Sequence, residues 1–164
     1  MSGNILERLF EHNNWANAKI IQACTTLTVE QLDAEPQSVT KGTIRDTLIH
    51  LVASQRGYLA LLTLPVDARP KTPLGFAELE ESARRSGEGL LELVREKLSA
   101  LPDQLQTTDG YHVQPGVVLV QAINHATEHR EQIKSMLSTL GATPPSIDGW
   151  DYGEAENALV PIST

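Results

Sequence analysis

The chain has 164 residues and a formal net charge of −8, from 13 lysines and arginines against 21 aspartates and glutamates. Hydrophobic residues make up 40 % of the sequence and charged residues 21 %, which is the composition of a globular domain and excludes a disordered chain. The negative charge argues against a nucleic-acid partner, and the single cysteine, Cys24, excludes a disulfide framework or a cysteine-rich zinc site. Any soft-metal site must therefore use the five histidines.

The length and the apolar runs indicate the class of protein. We expect one domain covering residues 1–164, since a chain of this size can bury its own core. The longest apolar run, 116–120, is far shorter than the roughly 18 residues that a membrane helix needs. The first residues lack a basic segment followed by an apolar one, so no secretory signal is predicted. We therefore expect a cytoplasmic protein with no membrane partner.

The first half of the chain predicts two long helices and one short turn. Apolar residues recur at helical spacing over about 4–25, which indicates an amphipathic helix. Its predicted core-facing side consists of Ile5, Leu9, Trp15 with Ala16, Ile20 and Ala23. Thr28 and Gln31 have the capping-box pattern, which predicts a helical turn at about 30–34. A second capping box, formed by Thr43 and Asp46, predicts the start of a long helix that Pro65 ends.

The second half of the chain predicts two more long helices. Prolines in 66–75 favour an extended crossing, and a third helix follows over about 76–100. Gly87 and Gly89 in this helix mark either a close contact between helices or a weak point. We predict a loop over 101–115 and a fourth helix over about 116–140, which Gly141 ends. No segment is predicted to be a strand. We therefore expect an all-α four-helix bundle with one long crossover connection.

The tail, residues 142–164, shows no helical pattern. It nevertheless contains Trp150 and Tyr152, and aromatic residues are unusual in a solvated tail. We therefore expect the tail to pack on the bundle.

The fourth predicted helix carries a pair of histidines. His125 and His129 are four residues apart and so share one helical face, about 6 Å apart along the axis. The same face contains Val118, Ala122 and Met136, which predicts that it points into the core. Two imidazoles directed inward cannot both carry a charge there, and neutral imidazole is a good ligand for a divalent metal.

His50 extends this pair to a candidate metal site. It lies half-way along the second predicted helix in an apolar stretch, and three histidines from two facing helices are the ligand set of an open metal site. The alternatives are hydrogen-bonded core histidines or a half-exposed helix edge. Residues 125–129 also match the inverted zinc-protease motif H-x-x-E-H, with Glu128 as general base, but the tail supplies no helical carboxylate as third ligand.

Three segments resemble the DinB-like (DinB/YfiT) superfamily, a bacterial family with histidine metal sites. They are HNNWAN at 12–17, IRDTLIHL at 44–51 and AINHATEHREQI at 122–133, and the tail segment 141–150 also resembles one branch of the family. The resemblance implies a four-helix bundle in which His50, His125 and His129 hold a divalent metal. Zinc or nickel leads the candidates, and iron and manganese also suit three neutral imidazoles.

The resemblance also carries functional expectations. Members include mycothiol-dependent maleylpyruvate isomerase and bacillithiol S-transferases, and homodimers are common. It therefore implies a thiol-dependent S-transferase with a low-molecular-weight thiol cofactor and a small electrophilic substrate. A metal-dependent hydrolase, or a non-enzymatic stress-response protein that binds a metal or small ligand, is the alternative.

Further residues are candidates for the surroundings of the metal. We expect Trp15, Tyr58 and Trp150 to form apolar walls of the substrate pocket. His12 stands where many family members have tyrosine, and either acts as an acid/base group or fourth ligand or packs as a polar cap. Glu128, at the edge of the histidine face, is the other candidate for moving a proton. We expect His112 to have no part in the site and Cys24 to be a small buried residue.

Overall fold

The computed structural model describes residues 4–36 and 42–162. Most of this part of the chain is helical, which confirms the all-α class. The helices are α1 (Ile5–Thr25), α2 (Val29–Leu32), α3 (Ile44–Thr63), α4 (Leu79–Glu92), α5 (Pro115–Thr139) and α6 (Gly149–Ala155). Short helical turns cover Val66–Ala68, Phe76–Glu78, Leu93–Lys97 and Leu98–Ala100, and two short strands are β1 (Leu105–Gln106) and β2 (His112–Val113).

Local side-chain caps start the helices where the sequence predicts. The Thr28 hydroxyl accepts from the backbone N–H of Gln31 at 3.2 Å, and that of Thr43 accepts from Asp46 at the same distance. In both cases the side chain of that later residue, Gln31 or Asp46, accepts from the backbone N–H of the capping threonine. Both predicted capping boxes are therefore confirmed. The predicted helix at 76–100 is helical throughout, but α4 is only its central part. A 3₁₀ turn at Phe76–Glu78 precedes α4, and a π-helical turn at Leu93–Lys97 and a 3₁₀ turn at Leu98–Ala100 follow it.

The four long helices pack side by side in the order α1, α4, α3, α5, with α5 returning to α1. The helices α3 and α4 run in the same direction, since Gln55 bonds to Ala83 while Leu59 touches Gly89 further along both. The connection at 64–75 must therefore run back along α3, whose 20 residues measure about 30 Å. Twelve residues can cover that distance even with the helical turn at Val66–Ala68, which departs from the predicted extended crossing, and Leu74 anchors the segment in the core.

The core has two apolar clusters with a polar layer between them. One cluster lies towards the Ile44 end of α3 and the other towards its Leu62 end. Between them lie side chains of all four long helices that are polar and buried: Asn13, Asn17, Gln55, Ser86 and Arg130. This layer corrects the prediction for α1, because Ile5 and Leu9 are 78 % and 44 % exposed. The buried face of α1 instead contains the two asparagines, which hydropathy alone assigns to the surface.

Two predicted irregular segments contain regular structure. The loop prediction for 101–115 is wrong at its centre, where β1 pairs antiparallel with β2, Leu105 opposite Val113 and Gln106 opposite His112. The Thr107 hydroxyl closes this hairpin by accepting from the N–H of Tyr111 at 2.8 Å. Strands of two residues are too short to produce an alternating pattern, so the sequence gives no sign of them.

The prediction that the tail lacks helical structure is also wrong. Asp148 starts α6 by accepting from the N–H groups of Trp150 and Asp151 at 2.8 and 3.0 Å. Seven residues form too few turns for apolar periodicity, and the cap is the only local signal. The tail does pack on the bundle, where Ile147 is buried and α6 contacts α1.

Within the described ranges, no helix combines the length and the apolar character that crossing a bilayer requires.

Candidate metal centre

Three imidazoles converge between α3 and α5. His50 is on α3, and His125 and His129 are one turn apart on α5, which packs antiparallel against α3. The Nε2 atom of His125 lies 3.0 Å from Nε2 of His50 and 3.2 Å from Nε2 of His129. All three ligand nitrogens lie within 4.8 Å of one another, so the predicted triad is brought together.

These separations fit a shared divalent cation. Two nitrogens at the usual zinc distance of about 2.0–2.1 Å lie about 2.9 Å apart at a right angle and about 3.4 Å apart at the tetrahedral angle. The observed 3.0 and 3.2 Å fall between these values. Direct N–H···N bonds are a poorer account, because Nε2 of His125 has either one proton or one lone pair and faces two nitrogens. The donor set therefore fits a metal.

A hydrogen bond with Gln132 orients the ring of His129. Nδ1–H of His129 donates to Oε1 of Gln132 at 2.8 Å, three residues further along α5. Because a carbonyl oxygen can only accept, the neutral ring has its proton on Nδ1 and its lone pair on Nε2, which faces the other imidazoles. Such outer partners orient histidine ligands and raise their basicity. Sequence reasoning missed Gln132, although its i+3 spacing from His129 was a usable signal.

The centre is covered on one side and accessible on the other. His129 is buried, whereas His50 and His125 are half-buried. The ring of Tyr58 stands edge-on to that of His125, with 5.8 Å between their centroids. The structure therefore places Tyr58 beside the imidazoles, and its role as a wall of the substrate pocket stays a prediction.

A comparison with protein-family models identifies the family of the chain. The model of the DinB family matches residues 1–160, nearly the whole chain and all three histidines. The chain belongs to the DinB family. No curated protein matches the sequence.

The other predicted pocket residues of this DinB-family chain lie elsewhere. His12 donates from Nε2 to the backbone carbonyl of Ile147 at 2.9 Å, and its ring packs against those of Trp15 and Tyr152. These contacts fasten the tail to α1, and the described imidazole group does not include His12. Trp150 is 74 % exposed. Trp15 and Trp150 therefore make no described contact with the three imidazoles.

Carboxylates are not part of the described imidazole group. Glu128 is exposed on α5, and Glu154 and Glu156 are exposed in the tail. Glu154 lies on α6, so the expectation that the tail has no helical carboxylate is wrong, but neither glutamate belongs to the imidazole group. The protease alternative requires a carboxylate ligand, which this arrangement does not supply. His112 lies exposed on β2, outside the group. Acid/base roles for His12 and Glu128 stay predictions.

A buried arginine next to His129 ties the DinB-family bundle together. Arg130 is 3 % exposed and donates to Oδ1 of Asn13 and Oδ1 of Asn17, both at 2.7 Å. Nδ2 of Asn17 in turn donates to Oε1 of Gln55 at 2.7 Å, which links α5 through α1 to α3. Burial lowers the pKa of Arg130 to about 10. Through this network α3 and α5, which carry the imidazoles, are held in register.

A cavity of about 340 Å³ adjoins Tyr58 on the α3 side of the centre. Gly57, Arg56 and Arg69 also line it. Gly57 follows His50 by seven residues, so the cavity and the imidazole of His50 are on the same face of α3. Sequence reasoning missed the two arginines, because Arg69 reaches the cavity from the crossing at 64–75.

Proposed function

We propose that this DinB-family chain is a divalent-metal-dependent enzyme that transfers a low-molecular-weight thiol to a small electrophilic molecule. The observation that carries the proposal is the convergence of three imidazole nitrogens from two helices, with one side of the group accessible. Family membership supports the same conclusion.

His50, His125 and His129 would hold the metal, and neutral imidazoles suit zinc, nickel, iron or manganese. When bound, such a metal supplies Lewis acidity, which lowers the pKa of a thiol so that it reacts as thiolate near neutral pH. In the transfer, a carbon–sulfur bond forms and the bond from that carbon to its leaving group breaks. The thiol proton leaves with the departing group.

The chain's own residues prepare this chemistry. Gln132 keeps the lone pair of His129 turned towards the other imidazoles, and the Arg130 network holds the two helices at a fixed offset. Tyr58 borders the accessible side, where it shields His125 and shapes the approach of the electrophile. Cys24 is fully buried and burial raises its pKa to about 12, so the chain's own thiol is not the nucleophile.

Two features favour thiol transfer over the alternatives. Hydrolysis at a metal commonly uses a carboxylate as general base, and the imidazole group contains none among residues 4–36 and 42–162. A thiol whose pKa has been lowered needs no such base. A purely structural metal site would be closed, whereas His50 and His125 are half-buried, and Tyr58, which contacts the ring of His125, lines a cavity.

The test is a transfer assay on the full chain loaded with each candidate metal. Bacillithiol, mycothiol and glutathione would each be offered with monochlorobimane, which releases chloride as it forms a fluorescent thioether. We expect turnover with at least one thiol and its loss in His129→Ala. His112→Ala removes an exposed histidine outside the site and is the matched control. No turnover with any thiol, at a filled metal site, would refute the proposal.

A further inference from the structure

Two arginines, Arg56 and Arg69, line the wall of the cavity beside Tyr58. Within the described part of the chain, no carboxylate oxygen lies within 4.0 Å of Arg56 or Arg69. Five other arginines do form ion pairs, namely Arg8, Arg45, Arg84, Arg85 and Arg95. Since the chain has 21 acidic residues against 13 basic ones, two arginines that line one cavity without a described carboxylate partner call for an explanation.

Backbone carbonyls hold both guanidinium groups in place. Arg56 donates from Nη2 to the carbonyl of Thr72 at 2.7 Å. Arg69 donates from Nε to the carbonyl of Leu64 at 3.2 Å and from Nη2 to that of Gln106 at 2.7 Å. These bonds position the groups without neutralising their charge, and each guanidinium has five N–H donors. Fixed, charged and unsaturated guanidinium groups are suited to binding a carboxylate.

Tyr58 connects this cavity with the imidazole group. Its side chain lines the cavity and also contacts the ring of His125. Gly57 forms part of its α3 wall, where a Cβ would meet no atom within 4 Å. Seven residues of helix separate Gly57 from His50, about 10 Å along the axis. The remaining lining includes the apolar side chains of Leu61 and Pro70.

We propose that this cavity binds an organic acid, whose carboxylate contacts Arg56 and Arg69 and whose apolar body extends towards the imidazole group. Carboxylate binding here is independent of any reaction, whereas the role of the acid as a reactant rests on the proposed function. Two sources share the chemistry, since the carboxylate can belong to the electrophilic acceptor or to the thiol.

Calorimetric titration of the full chain with benzoate tests the charge requirement, with benzamide as the neutral control of the same shape. We expect benzoate to bind and benzamide to bind at least tenfold more weakly. Arg56→Gln and Arg69→Gln should each weaken benzoate binding at least tenfold. Arg8→Gln makes the same charge change on α1, far from the cavity, and should bind benzoate as the parent does. Equal binding of the two probes, unchanged binding in both cavity variants, or no binding of benzoate would overturn the proposal.

A cavity-filling variant provides a test that leaves both arginines intact. Gly57→Leu places a side chain in the open space of the cavity and replaces a helical glycine with a better helix former, so the fold should be retained. We expect this variant to melt no lower than the parent and to lose benzoate binding. Retained binding in Gly57→Leu would show that benzoate binds elsewhere, against the proposal.

Two further arms identify the source of the carboxylate and separate the two proposals. S-methylglutathione has the carboxylates of a thiol cofactor, but its sulfur is blocked by a methyl group. If it binds more tightly than benzoate and this binding depends on the two arginines, the carboxylate that the cavity binds belongs to the thiol. Weaker binding than benzoate would assign it to the acceptor. Titrations with and without metal test binding alone, so arginine-dependent binding without turnover supports the cavity and refutes only the proposed reaction. Turnover of neutral acceptors without benzoate binding would support the proposed reaction and refute carboxylate binding in the cavity.

Discussion

Nδ1–H of His129 donates to Oε1 of Gln132 at 2.8 Å. Gln132 is not a member of the imidazole group, yet this bond determines that Nε2 of His129 faces His125. The bond links residues one turn apart on α5, so the geometry of that helix alone brings the two side chains together.

Removing the Gln132 amide should weaken metal binding without unfolding the bundle. We expect Gln132→Ala to lower metal affinity about 10–100-fold, the usual effect of losing an outer partner of a histidine ligand. Gln132→Glu keeps an acceptor for Nδ1–H and should restore affinity. Competition with a chromophoric chelator measures the change, and exposed Gln121→Ala on the same helix is the control. Equal affinity in Gln132→Ala and Gln121→Ala would contradict the assigned role.

Loss of a ligand should have a larger effect. His129→Ala should lower metal affinity by more than about 100-fold, beyond the range expected for an outer partner. His112→Ala should bind as the parent does, because His112 is exposed on β2 and outside the imidazole group. Elemental analysis after dialysis measures the metal retained. Retention of the parent's stoichiometry in His129→Ala would remove the basis for the three-histidine site.

The buried network around Arg130 should stabilise the fold. Arg130→Ala removes the donors that Asn13 and Asn17 share and leaves a cavity between helices. We expect the free energy of unfolding to fall by about 3 kcal/mol, the scale for leaving buried polar groups without partners. Urea denaturation measures it, with Arg8→Ala, an exposed ion-pair residue, expected to change little. Similar stabilities of the two variants would show that the network contributes no net stability.

Two helical glycines should respond in opposite ways to alanine. At Gly87 a Cβ would lie 2.5 Å from Oδ1 of Asn14, so Gly87→Ala must push α1 and α4 apart or displace that amide. We expect it to lower the free energy of unfolding by about 1–3 kcal/mol. At Gly57 a Cβ meets nothing within 4 Å, so Gly57→Ala should raise it by about 0.5–1 kcal/mol. Thermal or urea denaturation compares the pair, and stabilisation by both would refute close packing at Gly87.

Cys24 should make stability depend on pH above its ordinary pKa. Burial raises that pKa from 9.0 to about 12 in the folded chain. The unfolded chain therefore loses the thiol proton first, so the contribution is complete below pH 9 and is lost as pH rises towards 12. We expect the stability advantage over Cys24→Ala to shrink by about 1 kcal/mol per pH unit above pH 9. Urea denaturation at several alkaline pH values tests this, and parallel pH profiles of the two proteins would contradict it.

Local interactions made most of the helices predictable. The capping boxes at Thr28 and Thr43 join residues three apart, and the apolar spacing of α3 and α5 repeats every turn, so both are visible in sequence. The pairing of His125 with His129 has the same origin, since one helix places them on one face. The hairpin at β1–β2 and the helix α6 were missed because neither is long enough to show a period.

The amino-acid sequence by itself determined the all-α class, the helix starts and the histidine pair on α5, because these depend on residues within one or two turns of each other. Only the tertiary structure decided that His50, 75 positions before His125, reaches the same point. It also decided that Asn13 and Asn17 are buried around Arg130, and that Arg69 lines the same cavity as Arg56. Such contacts depend on how helices pack and where the crossing runs, and no local pattern of hydropathy or spacing records that packing.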